Sequence, residues 1–206
     1  MNVLFGLIGV IALLLCAVLL SESRKSINWK TVSRALLLQV GFAALVLYFP
    51  WGQAALTSLS SGVSSLLGFA DEGIGFLFGD LANTGFIFAV RVLPIIIFFS
   101  ALISALYYLG IMQKVIQFIG GAIQKFLGTS KAESLVATGN IFLSQGESPL
   151  LIRPFLQNMT RSELFAVMAG GMASVAGSVL GGYAGLGVEL KYLIAASFMS
   201  APGSLL

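Results

Sequence analysis

Histidine is absent from the 206 residues and cysteine occurs once, as Cys16. The first absence excludes a Ser-His-Asp triad and His-ligated zinc, and the second excludes an internal disulfide. Charge is scarce too: eight Asp/Glu and eleven Lys/Arg make up 9% of the chain, against about 25% in ordinary soluble domains. A net charge of +3 spread so thinly cannot build the dense basic stripe that nucleic-acid binding needs, so no nucleic-acid partner is expected. Apolar residues fill the chain instead, at 58% with a mean hydropathy of +1.00. Lipid is therefore the expected solvent, and an all-α integral membrane protein the expected fold class.

The first apolar run, Val3 to Leu20, is long enough to cross roughly 30 Å of hydrocarbon as a helix. Its positive flank follows it, at Arg24, Lys25, Lys30 and Arg34, the reverse of a signal peptide, so it reads as a retained span. Positive charge marks the cytoplasmic side, which places the amino terminus outside and sends a second span, residues 35–49, outward. Between Ala35 and Val90 there is no Lys or Arg, whereas Asp71, Glu72 and Asp80 appear, as suits an outer segment. Within it, Leu56, Leu59, Val63, Leu66 and Leu67 predict a helix over 51–67 lying along the interface. A third span is expected over 86–112, interrupted by Arg91, which can snorkel outward, and by Pro94. Residues 1–112 thus form one transmembrane region. A second, 113–206, opens with a basic amphipathic helix over 113–128 that carries Lys114 and Lys125.

Residues 132–160 behave differently. Two apolar pieces, Leu135 to Leu143 and Leu150 to Leu156, flank the polar centre Ser144-Gln145-Gly146-Glu147-Ser148-Pro149. Neither reaches the roughly 20 residues that a crossing needs, so the pattern predicts a re-entrant helical hairpin. Thr129 or Ser130 with Glu133 forms its helix-start signal. A carboxylate at membrane depth costs about 2.5 to 3.5 kcal/mol on insertion scales, which calls for a functional reason. A polar cavity with Gln145 and Glu147 at its wall supplies one; a wet loop between two interfacial helices is the plainer alternative. Two further spans are expected over 164–186 and 191–206. In the first, Gly177, Gly181 and Gly185 recur at the spacing that lets helices approach closely, and Ser174 offers an oxygen to a small cation or hydrogen-bonds to a neighbouring helix.

The run Asn140-Ile-Phe-Leu-Ser-Gln-Gly-Glu-Ser-Pro-Leu-Leu-Ile-Arg-Pro-Phe155 resembles the first re-entrant hairpin of the concentrative nucleoside transporters, whose pattern reads Gly-Gln-Thr/Ser-Glu-Ala-Pro-Leu. Ser162 to Met168, Gly170 to Gly177, Phe86 to Pro94 and Tyr48 to Gln53 agree with the same family in the same order. The resemblance implies a secondary active transporter that takes up nucleosides with sodium or, in some members, protons. It also implies a homotrimer in the cell membrane, the inner membrane of a Gram-negative cell, working by an elevator-like motion. In those terms residues 1–112 are scaffold-type and residues 113–206 transport-type. Carried over by position, Gln145, Gly146 and Glu147 are the tip that faces the nucleobase and Val179 is an apolar neighbour of it. Asn140 and Ser174 would ligate sodium through side chains, Leu143 and Val175 through backbone carbonyls. An amide can meet both the donor and the acceptor edge of a base, and oxygens alone suit a hard cation.

Three departures from the pattern matter. Gly146 stands where the family has Thr or Ser, Ser144 stands where it has Gly, and the second inverted half that completes the fold is expected to be missing, leaving one half of an inverted-repeat transporter. A channel would call for polar or charged rings along a pore. An enzyme would call for an acid-base partner beside Glu147. Both rank below transport, and the strongest rival is a split or incomplete unit that transports nothing by itself.

Overall fold

The computed structural model describes residues 2–82, 87–175 and 177–206. Among them the chain is helical, with no strand. In chain order the helices are α1 (Asn2–Leu20), α2 (Trp29–Tyr48), α3 (Pro50–Phe78), α4 (Phe88–Arg91), α5 (Leu93–Tyr108), α6 (Ile111–Leu127), α7 (Lys131–Phe142), α8 (Arg161–Met172), α9 (Gly177–Gly185) and α10 (Leu190–Gly203), with a 3-10 segment, Ser148–Asn158, between α7 and α8. By length and composition α2 and the stretch Phe88–Tyr108 can each cross a bilayer. The α1 helix, with 19 residues, is about as long as the hydrocarbon core is thick.

Several elements depart from the sequence expectation: α2 begins at Trp29 rather than 35, α5 ends at Tyr108 rather than 112, and the return limb of the hairpin is 3-10. The outer helix does not stop at 67 but continues through Asp71 and Glu72 to Phe78. Its apolar face simply carries on, with Val63, Leu66 and Leu67 followed by buried Ala70 and Ile74 against Val90, Ile95 and Phe99, while the two acids point outward. The span expected over 164–186 is two helices, α8 and α9, with Ser174 and Val175 in the non-helical stretch between them. The start expected at Phe86 lies outside the described residues; from Phe88 the helix is interrupted at Val92, just before Pro94, whose ring cannot continue the hydrogen-bond ladder. Arg91, expected to snorkel, donates from Nε to the Ala82 carbonyl at 3.0 Å.

At the centre of the second region α7 is buried along nearly its whole length, from Ser134 to Ile141 without a break. The α6 helix lays Met112, Ile116, Gly120, Ile123 and Leu127 against its surroundings and leaves Phe118 in the open. On another side α10 packs, with Phe198 edge-on to Phe142 and stacked on Phe42 of α2. Buried hydroxyls on α7 are satisfied locally: Ser134 donates to the Ser130 carbonyl at 2.9 Å and Thr138 to the Ser134 carbonyl at 2.8 Å.

The two limbs of the hairpin start and finish side by side. Ser130 and Glu133 close a reciprocal cap on α7, and Thr160 and Glu163 repeat it on α8. The Glu163 carboxyl is held below its ordinary range, first by the Thr160 backbone N–H, then by the Thr160 hydroxyl and by Ser130 from the neighbouring cap. The chain therefore descends along α7, turns at 143–147 and returns to its starting level. Twelve residues of α7 span about 18 Å, roughly half the hydrocarbon thickness. Because its folded pKa is lowered, Glu163 contributes stability above the ordinary glutamate pKa, and that contribution is lost as pH falls through the lowered value. Ser130→Ala removes the α7 cap and part of the second one. Thermal unfolding in detergent at neutral pH is expected to show a loss of about 1 kcal/mol, and the deficit should shrink on acidification as Glu163 protonates in both proteins.

Candidate functional site at the hairpin turn

The turn is built from few groups. Leu143, extended and 4% exposed, ends α7 with its N–H on the Gly139 carbonyl at 2.8 Å. The Ser144 carbonyl then accepts from the N–H groups of Glu147 and Ser148, both at 3.0 Å, and the Glu147 carboxylate closes the loop by accepting the Ser144 N–H at 3.0 Å. Gln145, Gly146 and Glu147 are left exposed at the tip. One Glu147 oxygen is thus fixed by the turn and the other is open to a ligand.

Glycines bring the broken α8–α9 segment against this turn. A Cβ on Gly171 would lie 3.1 Å from the Gln145 Cβ, and one on Gly170 would lie 3.6 Å from Asn140 Nδ2 and 3.5 Å from Ser204 Oγ. One on Gly177 would collide with the Phe142 carbonyl oxygen. The break therefore faces the end of α7, where Asn140 and Leu143 lie. Asn140 is 1% exposed, Ser174 is half-buried with Oγ 3.2 Å from the Gly170 carbonyl, and Val175 is exposed. Val179 lies half-buried on α9. Beyond it, Gly181 brings α9 against Ile95 of α5, the close approach expected of the glycine repeat, and Gly182 lies against Val92 just before α5.

Among the described residues no group of three His, Cys, Asp or Glu side chains stands ready for a transition metal. The buried side chains next to the turn, Asn140 and Ser148, are neutral. A separate cavity of about 620 Å³ lies among α3, α5 and α9, lined by Ser64, Asp71, Arg91, Ile95 and Gly181 among others, and does not include the tip. The tip itself forms one open wall rather than an enclosed pocket.

The segment that contains this wall, residues 89–189, matches the family model described as "Nucleoside recognition", and residues 8–81 match "Na+ dependent nucleoside transporter N-terminus". The chain is 53% identical to nucleoside permease NupC of Helicobacter pylori over 98% of its own length and 50% of that protein's. It is 44% identical to sodium/nucleoside cotransporter 1 of Sus scrofa over 98% of its own length and 31% of that protein's. It superposes on CNTnw in an inward-facing substrate-bound state with a TM-score of 0.93 at 54% identity, covering 99% of this chain and 51% of that one.

The chain belongs to the concentrative nucleoside transporter family. As a member it is a multi-pass membrane protein, and its fold corresponds to one half of the transporter's repeated architecture. The chain spans about half the length of the bacterial relatives it matches. Two features of this transporter half were not anticipated from the residue pattern. The pair Gly170-Gly171 seats α8 on the turn, and a Gly-Gly pair beside a polar hairpin was a usable signal for it. Ser148 is 0% exposed and hydrogen-bonded to Asn140, and nothing in a lone serine before a proline announces that.

Proposed function

We propose that this chain forms the first repeat of a cation-coupled nucleoside uptake system, with sodium as the coupling ion and an elevator-like movement of residues 113–206 against a scaffold of residues 1–112. The observation that carries the proposal is the hairpin tip, where Gln145, Gly146 and Glu147 stand exposed next to the buried Asn140, Leu143 and Ser148. Gln145 and Glu147 take the nucleobase, Gly146 gives it room at the backbone, and Val179 offers an apolar contact. Asn140 and Ser174 hold the sodium ion through side chains, with the Leu143 and Val175 carbonyls completing the oxygen set. Homotrimeric assembly in the cell membrane with the amino terminus outside belongs to the same reading. So does a ribose-facing wall contributed by a complementary half.

The test is nucleoside uptake driven by an imposed sodium gradient, in vesicles that carry this chain together with a complementary half. Asn140→Ala is expected to raise the sodium concentration for half-maximal uptake about tenfold or more, the loss of one buried charge-assisted contact. An unchanged sodium requirement removes Asn140 from the site, and uptake indifferent to sodium removes the coupling. A second reading is favoured by the half-length match to the bacterial relatives. On it the 206 residues alone insert and fold but move no solute, so vesicles with this chain by itself stay inactive until the other half is supplied.

A further inference from the structure

The cation reading leaves open what orients Asn140. A carboxamide turns about a soft, roughly two-fold terminal torsion, and its oxygen and nitrogen ends differ in chemistry but hardly in shape. An asparagine that must offer oxygen to a cation therefore needs a neighbour that fixes its orientation. The Asn140 side chain has one hydrogen bond among the described residues: Ser148 Oγ donates to Oδ1 at 2.5 Å. Its Nδ2 is buried with no partner there. Ser134 and Thr138, the other buried hydroxyls of α7, donate to backbone carbonyls one turn back, whereas Ser148 joins the 3-10 limb to the buried interior of α7 by a hydrogen bond to Asn140.

Ser148 is itself held rigidly. It is fully buried, its N–H is bonded to the Ser144 carbonyl at 3.0 Å, and Pro149 follows it with a fixed φ. Gly139, the residue before Asn140, makes room for it, since a Cβ there would sit 3.5 Å from the Ser148 Cβ and closer still to Leu151. The hydroxyl takes one lone pair of the Asn140 carbonyl oxygen and leaves the second free.

We propose that Ser148 is a positioning residue of the cation site: by donating to Asn140 Oδ1 it fixes the rotation of the carboxamide, with Nδ2 on the Gly170 side and the second lone pair of Oδ1 left for the coupling ion. The inference rests on the assignment of Asn140 to the cation given above. It goes further by adding a residue that touches neither cation nor nucleoside and still sets the affinity for the cation. It also ties the return limb of the hairpin to ion loading, because any movement of residues 148–158 relative to α7 releases the amide.

The experiment compares Ser148→Ala, Asn140→Ala and the double variant in the assembled transporter, measuring sodium-dependent uptake and, on purified protein, stabilisation by sodium and by nucleoside separately. Ser148→Ala is expected to raise half-saturating sodium about three- to tenfold, to leave the nucleoside KM at saturating sodium unchanged and to keep stabilisation by nucleoside, which shows that the variant is folded. The double variant is expected to behave like Asn140→Ala alone, because the hydroxyl acts only through that amide. An unchanged or lowered sodium requirement in Ser148→Ala overturns the proposal, as does a shift that adds in full to that of Asn140→Ala. If Asn140→Ala itself leaves the sodium response unaltered, the cation assignment fails and this inference falls with it. A failure confined to Ser148→Ala leaves the assignment standing.

Discussion

Replacing Glu147 by glutamine is expected to abolish nucleoside uptake, by at least about a hundredfold, while leaving the hairpin folded. The expectation follows from how the carboxylate is used. One of its oxygens accepts the Ser144 N–H and closes the turn, a task that an amide oxygen performs equally well. The other has only the open side of the tip before it, where the solute contact is proposed. Glutamine keeps the length and the turn but replaces a charged acceptor with a neutral group that also carries a donor, so a base donor loses its charge-assisted partner and meets an N–H instead. Sites built to hydrogen-bond a substrate reject the wrong partner by factors of about 10⁴ to 10⁵ when a buried polar group is left unpaired, and an exposed tip loses less. Radiolabelled nucleoside uptake normalised to protein in the membrane gives the measurement. Near-normal uptake by Glu147→Gln would show that the tip is a wet loop rather than a binding wall. Loss of membrane protein, in contrast, would mean that the turn needs the charge for its own closure.

The boundaries of the hairpin were legible in the sequence because every level of the physics agrees there. Ser130 and Glu133 mark the start, two runs too short to cross bracket a polar centre, and Pro149 re-starts the chain. The amphipathic α6 was legible for the same reason, its apolar residues falling on one face between Gly110 and Gly128, both at positive φ. The length of α3 was not, because Asp71 and Glu72 look like the end of an apolar pattern when counted in sequence, although they lie on the exposed side of a face that continues through Ala70 and Ile74. The break between α8 and α9 was only half legible. A stretch rich in Gly, Ala and Ser is compatible with a packed helix or an unwound one, and the choice is made by partners distant in sequence, Phe142 and Gln145, that press on Gly177 and Gly171. The contact between Ser148 and Asn140 was hidden for a related reason: eight residues apart and on opposite limbs, they meet only once the turn is made.

The same close packing sets the second large effect. Gly177 opens α9 directly after the broken stretch, and a Cβ added there would overlap the Phe142 carbonyl oxygen and come within 2.9 Å and 3.0 Å of its carbonyl carbon and Cα. All three obstacles are backbone, in the last residue of a helix buried on every side, so no rotamer change relieves them. Gly177→Ala must therefore push α9 away from α7, at a typical overpacking cost of about 1 to 3 kcal/mol. That displacement falls between Leu143 and Val175, the two carbonyls proposed to share the cation. Uptake is accordingly expected to drop at least tenfold, with a raised sodium requirement in what remains, and the unfolding temperature in detergent should fall. Gly62, on α3 with nothing within 4 Å of an added Cβ, is the control: Gly62→Ala adds the same methyl, improves helix propensity by about 0.5 to 1 kcal/mol and should leave uptake unchanged. If Gly177→Ala transports with an ordinary sodium dependence, α9 can retreat from the hairpin without disturbing the ion, and the two carbonyls do not form one site.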